Sequence, residues 1–122
     1  MTLYRVRLEL GRSKEAPQGD PLHAYVLVAP LDAKGHLDAA GWKADRERCI
    51  VERIVHGAVE QRGHLAHVGQ GWHFDYDMSQ RDDDEPLYKL DRHEIRQGEY
   101  VSVTEHDGVL RTFKVAAVSP EQ

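Results

Sequence analysis

The chain has a single cysteine, Cys49, so no disulfide can form within it and a reducing compartment is the expectation. Cys49 stands just before Ile50 and Val51 in an apolar run, and reads as a buried structural thiol rather than a nucleophile or metal ligand. Long hydrophobic runs are missing. The longest, Ala24-Tyr-Val-Leu-Val-Ala-Pro30, falls far short of the ~20 residues that a bilayer-spanning helix needs. The opening Met1-Thr-Leu-Tyr-Arg-Val-Arg7 alternates polar and apolar residues and has no apolar core of a secretion signal. A soluble, cytoplasmic protein with no membrane segment is therefore expected. A basic surplus is missing too, since 16 Lys and Arg face 21 Asp and Glu for a net charge of -5. Neutralising phosphates supplies most nucleic-acid affinity, so overall charge argues against a nucleic-acid partner. No serine sits in G-x-S-x-G, and neither a phosphate-binding loop nor a dinucleotide fingerprint is present. There is no internal repeat and no low-complexity segment.

What is present fits one globular domain over residues 1–122, with 40% hydrophobic and 30% charged residues. Leu3–Leu10 alternates cleanly: Tyr4, Val6, Leu8 and Leu10 fall on one face, and Leu3, Arg5, Arg7 and Glu9 on the other. The segment from Gly11 to Pro21 reads as a loop, and His23–Ala29, apolar on both faces, as a covered strand. Asp38 is the expected N-cap of a short helix over Ala39–Arg48, with Trp42 as its anchor on the sheet. Cys49–His56 reads as a strand, followed by a polar loop through Gly63. Leu65–Val68 and Trp72–Asp77 form a hairpin around Gly69-Gln70-Gly71, and Ser79–Pro86 is a charged loop.

Near the C-terminus, Glu99–Glu105 and Val109–Val118 are strands joined through His106-Asp107-Gly108. A three-residue loop with Gly108 in the left-handed region pairs Val101 with Phe113 and Glu105 with Val109. That register gathers Val101, Val103, Val109, Phe113 and Val115 on one face, and is preferred to a two-residue turn for that reason. Ser119–Gln122 is expected to fray. Six or seven short strands with one helix predict a mainly β fold: a small barrel or rolled antiparallel sheet, with a two-sheet sandwich as the alternative.

Eight histidines invite a metal hypothesis. His64 and His67 at i, i+3 would sit on opposite faces of a strand and cannot share an ion without a bend. If Gly69-Gln70-Gly71 is a three-residue loop, His67 instead faces His73 and Asp75 lies diagonally on the same face. Two imidazoles and a carboxylate so arranged resemble sites for iron or zinc, so His67, His73 and Asp75 are the candidate ligands of a divalent metal. The plainer reading is a solvated polar face opposite Val68, Ala66, Trp72, Phe74 and Tyr76. Asp82-Asp-Asp-Glu85 offers oxygens to a hard cation but lacks the spaced frame of a calcium loop. Arg5 and Arg7 share a face that suits an anionic partner or simply solvent. Trp42 and Trp72 read as core anchors before ligand platforms.

Several phrases look like those of a family of small bacterial proteins. They are Val28-Ala-Pro-Leu31 with Gly35-His-Leu-Asp38, Trp72-His-Phe-Asp-Tyr-Asp77, Asp83-Asp-Glu85, and Gly98-Glu-Tyr-Val-Ser-Val103 running on to Thr112-Phe-Lys-Val115. In these the chain resembles an uncharacterised family for which no activity is assigned. His36, His67, Trp72, Asp75, Tyr76 and His93 match its pattern; His64 and His73 depart from it. The resemblance implies no catalytic residue and no cofactor. The leading expectation is a binding or accessory module that acts through a protein partner or small ligand. A metal-dependent enzyme using His67, His73 and Asp75 is the first alternative, and a nucleic-acid-binding barrel the second.

Overall fold

A computed structural model of the chain describes residues 2–69, 71–76, 85–87 and 94–121. Among them are eight strands: β1 Leu3–Leu10, β2 Asp20–Pro30, β3 Ile50–Val55, β4 Ala58–Val68, β5 Gly71–Asp75, β6 Glu85–Leu87, β7 Tyr100–Thr104 and β8 Leu110–Pro120. One helix, α1 Ala39–Asp45, runs on into a single 3-10 turn, Arg46–Arg48, between β2 and β3. Each strand pairs antiparallel with the next, and β8 returns to β1. The sheet therefore closes into a barrel rather than splitting into a sandwich. Closure removes the exposed edges that an open sheet of this size would carry. Among the described residues, β6 and β7 are joined through Leu87 and Val103.

β1 has the bounds its alternation predicts, with Val6, Leu8 and Leu10 buried. The inner wall is filled. Tyr25 packs its ring against Phe74 at 4.8 Å and edge-on to Phe113 at 5.0 Å, among Leu8, Leu27, Val51, Leu65, Val101, Val103 and Val115. One end of the barrel, the helix end, is covered by the Leu31–Leu37 bridge, α1 and Ile95. Asp38 caps α1 by accepting from the Gly41 amide at 2.9 Å, as its place in the sequence predicts. The Trp42 indole donates to the Leu65 carbonyl at 2.7 Å, pinning the helix to β4. The opposite end, the loop end, gathers the β1–β2, β3–β4 and β7–β8 connections. No helix among the described residues is long and apolar enough to cross a membrane.

Three expectations need correction. Residues 58–63 are strand, not loop, because His56 and Gly57, both at positive φ, make a tight turn that sends the chain straight back along β3. β2 starts early, at Asp20, for a similar reason: the β1–β2 loop closes where the Gly19 amide meets the Ala16 carbonyl. Ser119 and Pro120 do not fray. They pair with Arg5 and Tyr4, and the Glu121 amide donates to the Leu3 carbonyl at 2.8 Å.

The C-terminal hairpin adopts the three-residue register. Val101 faces Phe113, the Glu105 amide donates to the Val109 carbonyl at 3.0 Å, and Gly108 takes a φ of +82°. Val109 is the exception to the expected face, being 41% exposed. The inward position beyond Val103 belongs to Glu105. Phe113 is fully buried and touches the rings of Tyr25 and His23. Phe113→Ala should therefore cost about 3–5 kcal/mol in chemical denaturation. A loss under ~1 kcal/mol would contradict this packing.

Candidate functional site

Four strands carry polar side chains into the loop end of the barrel, each continuing its strand's inward row. β2 supplies His23 and Tyr25, β3 supplies Arg53, β8 supplies Arg111, and Glu105 follows β7 directly. They meet at the Glu105 carboxylate, whose side chain is wholly buried. Its Oε2 accepts from the Tyr25 hydroxyl at 2.6 Å, His23 Nε2 at 2.9 Å and Arg53 Nη2 at 3.2 Å. Its Oε1 accepts from Arg111 Nη1 at 3.0 Å. An outer ring of carboxylates completes the cluster: Glu60 pairs with Arg53, while Asp107 at 3.0 Å and Glu15 at 3.2 Å pair with Arg111.

A buried carboxylate is costly unless it is fully paired, and this one is. Burial alone would raise the Glu105 pKa. Hydrogen bonds from His23 and Tyr25, with the charges of His23 and Arg53, outweigh that and hold it at about 2, down from 4.5. The group is therefore ionised at neutral pH and has no proton to give. Its role is to tie β2, β3, β7 and β8 together and to fix both guanidinium groups. Two polar atoms of the same region lack hydrogen-bond partners though buried: Gln61 Oε1 and Arg111 Nε. Gln61 is the cross-strand neighbour of Arg53, on the same face.

Around this cluster the rim is apolar. Among the described residues the exposed large hydrophobics are Leu22, Val59, Tyr100, Val109 and Leu110. All but Tyr100 stand at the loop end. Leu22 is near the start of β2, Val59 near the start of β4, and Val109 and Leu110 lead into β8. Leu22, Val59 and Leu110 are each 54% exposed.

The metal ligands expected from the sequence do not come together. The β4–β5 turn holds two residues rather than three, since Val68 faces Gly71. The register therefore slips by one: His67 faces Trp72, Ala66 faces His73, and His64 faces Asp75. A slip of one residue moves a side chain to the other face of a strand. His67 lies with Trp72, stacked on its ring at 4.3 Å and edge-on to Trp42 at 5.9 Å. His73 and Asp75 share the opposite face with His64, where His73 Nδ1 and Asp75 Oδ1 are buried without hydrogen-bond partners. Among the described residues no group of three His, Cys, Asp or Glu side chains is placed to hold a metal ion. The expected cation loop at Asp82–Glu85 falls mostly on residues outside those described, as does His93.

Other expectations fare differently. Trp72 is a core anchor, 2% exposed. Arg5 and Arg7 are engaged by Glu121 and Glu9, at 3.0 and 2.7 Å. Cys49 is buried, and desolvation, reinforced by the charge of Asp45, lifts its pKa to about 11, so it stays a neutral thiol. The Glu105 cluster was not anticipated. Its signal was the phase of each residue within its strand, because His23, Arg53, Glu105 and Arg111 all stand where the next apolar side chain would fall. No family model, curated protein or solved structure matches this chain.

Proposed function

We propose that this protein is a small cytoplasmic binding module whose loop-bearing barrel end docks, on its outer rim, a protein segment that is both apolar and basic. One observation carries the reading: among the described residues, four of the five exposed large apolar side chains stand at that end, among the exposed carboxylates Glu15, Glu60 and Asp107. Scattered surface hydrophobics are ordinary, but their gathering on one rim is the mark of an interaction surface. The interior is occupied by aromatic and aliphatic side chains, so recognition belongs to the surface rather than to an enclosed chamber. The ion cluster beneath holds the rim loops in place, which lowers the ordering cost of association. A net charge of -5 and the acidic rim favour a basic partner and oppose a polyanion.

The test is fluorescence anisotropy with a labelled peptide of alternating Lys and Leu, and with the same peptide carrying Glu for Lys. Wild-type protein should bind the Lys form, more weakly as salt rises. The double variant Leu22→Asp/Leu110→Asp should bind it at least ~10-fold more weakly, about 1.4 kcal/mol. Arg62→Ala, on the outer wall, should bind as wild type does. Equal binding by wild type and the double variant, or equal binding of the Glu peptide, would remove the reading.

A further inference from the structure

At the helix end β8 outruns its neighbour on one side. Residues 110–114 pair with β7, and Val115 makes the last contacts there, donating to the Glu99 carbonyl and accepting from the Gly98 amide. Ala116 is the extra residue of a bulge against β1, where the register shifts between Arg7 and Leu8. From Ala117 to Pro120 the strand pairs with β1 alone among the described residues. The Glu121 amide donates to the Leu3 carbonyl, so alternation turns the main-chain groups of Ser119 and Ala117 towards β1 and those of Val118 away from it. Among the described residues nothing pairs with Val118 on that side. A strand edge with its amide and carbonyl unpaired is a template for another extended chain.

The edge begins at a cleft of about 480 Å³ on the outer wall, lined by Glu9, Gln97, Gly98, Lys114, Val115 and Ala116. A Cβ built on Gly98 would meet no atom within 4 Å, so the space beside the edge is open. Glu9 is held by Arg7 at 2.7 Å. Lys114, exposed and without an ion pair among the described residues, is therefore the uncompensated charge of the cleft. Tyr100 faces Lys114 across β7 and β8 and is 53% exposed. It is the exposed large hydrophobic that the loop-end rim leaves out.

The free edge is short at both ends. A chain laid antiparallel on β8 runs in the direction of β7 and meets Gln97 and Gly98 head-on, where this chain's own approach to β7 takes up the pairing with Val115. Pro120, with no N–H, bounds the edge at the other end. A strand that stops beside Gly98 places its terminal carboxylate near the Lys114 ammonium. An internal segment would have to turn out of the cleft at that point and would leave Lys114 unmatched.

We infer that the free edge of β8 takes up the carboxyl-terminal segment of a partner protein as an added strand, with its main chain on Val118 and its terminal carboxylate on Lys114. This site is independent of the docking surface at the loop end and takes a ligand of opposite charge.

The test is a titration of the whole protein, read in proton–nitrogen correlation spectra, with acetylated Val-Thr-Val-Thr-Val as the free acid and as the carboxamide. The acid should give a saturable shift of the Val118 amide signal and bind at least ~3-fold more tightly than the carboxamide, the difference shrinking as salt rises. The acid methylated on all its main-chain nitrogens should leave Val118 unmoved. Lys114→Gln should bring the acid down to the affinity of the carboxamide. Val118→Pro, which removes the edge donor, should abolish binding of both, while Val118→Ala should retain it. If Val118→Pro does not fold, the methylated peptide carries the same test.

No shift of Val118 with either peptide, or an equal shift with the methylated one, would overturn the added strand. Equal affinities for acid and carboxamide would overturn the chain end in favour of an internal segment. Acetate shifting the signals of Lys114 and Gln97 as far as the peptide does, with Val118 unmoved, would reduce the cleft to a site for small carboxylates. A Val118 shift that grows with protein concentration and needs no peptide would give the edge to a second copy of this chain, and would overturn the inference as well.

Discussion

Glu105→Ala should cost the domain about 3–5 kcal/mol, a large share of what holds a chain of this size together. The loss arises less from the bonds removed than from what they leave behind: two arginines facing inward without their shared carboxylate. The pH dependence has a definite sign. A carboxylate whose folded pKa, about 2, lies below its ordinary 4.5 stabilises the fold fully above 4.5 and progressively less as pH falls toward 2. Over that window the contribution is on the order of 3 kcal/mol. Urea denaturation at pH 7 and pH 3 should show wild type losing stability on acidification. Glu105→Gln, which keeps the shape and cannot ionise, should start lower and lack this component of the loss. Identical acid sensitivity in the two proteins would show that another group carries it. Replacing Glu105, Arg53 and Arg111 together with apolar residues should be far milder than Glu105→Ala, because no buried charge is then stranded.

Gly63→Ala should be at least as damaging, above ~4 kcal/mol, for a reason of space alone. A Cβ built on Gly63 would lie 2.1 Å from the Asp75 carbonyl oxygen and 2.6 Å from Tyr76 Cα. Both are main-chain atoms of the segment leaving β5, and they cannot swing aside as a side chain would. Gly63 faces Val51 on its β3 side, so the added methyl would force β4 away from one neighbour or the other. The expected result is a sharp fall in soluble yield, or a denaturation midpoint far below wild type. A midpoint within ~1 kcal/mol of wild type would show that β5 does not pass over this residue.

Where the sequence was legible, a repeated pattern made it so. Tyr4, Val6, Leu8 and Leu10 marked β1 to the residue, and the run Val101, Val103, Phe113, Val115 selected the correct hairpin register over its competitor. Both rest on several apolar residues in phase, and a shift by one would expose them all. β4 was half-hidden. Its first half points Gln61 and Gly63 towards Arg53 and Val51, so no apolar alternation announces it. The β4–β5 turn offered two glycines and two loop lengths, and the pattern on either side did not decide between them. That single residue separates His67 from His73 and Asp75.

The Glu105 cluster was illegible for the converse reason. A charge at the end of an apolar row reads as the strand leaving the core. In His23-Ala-Tyr25, Val51-Glu-Arg53, Val103-Thr-Glu105 and Arg111-Thr-Phe113 the row does not leave; it enters a polar interior. A single instance carries no information. Four of them, aligned at one end of a closed sheet, describe a buried ion cluster that only the closed ring brings into being.

That ring also has a consequence for the order in which the chain can assemble. Seven of its eight seams join strands that are consecutive in the chain, and only β1 with β8 joins the two extremes. Loop closure over so many residues must be paid in entropy before it is rewarded, which makes this seam the slow step of folding. Tethering residue 121 to residue 3 and reopening the chain at the His56-Gly57 turn would exchange which seam is remote. The permuted protein should reach the same barrel with β3 and β4 as the last strands to meet, so that a ring with no privileged starting point has its kinetics written by where the chain is cut.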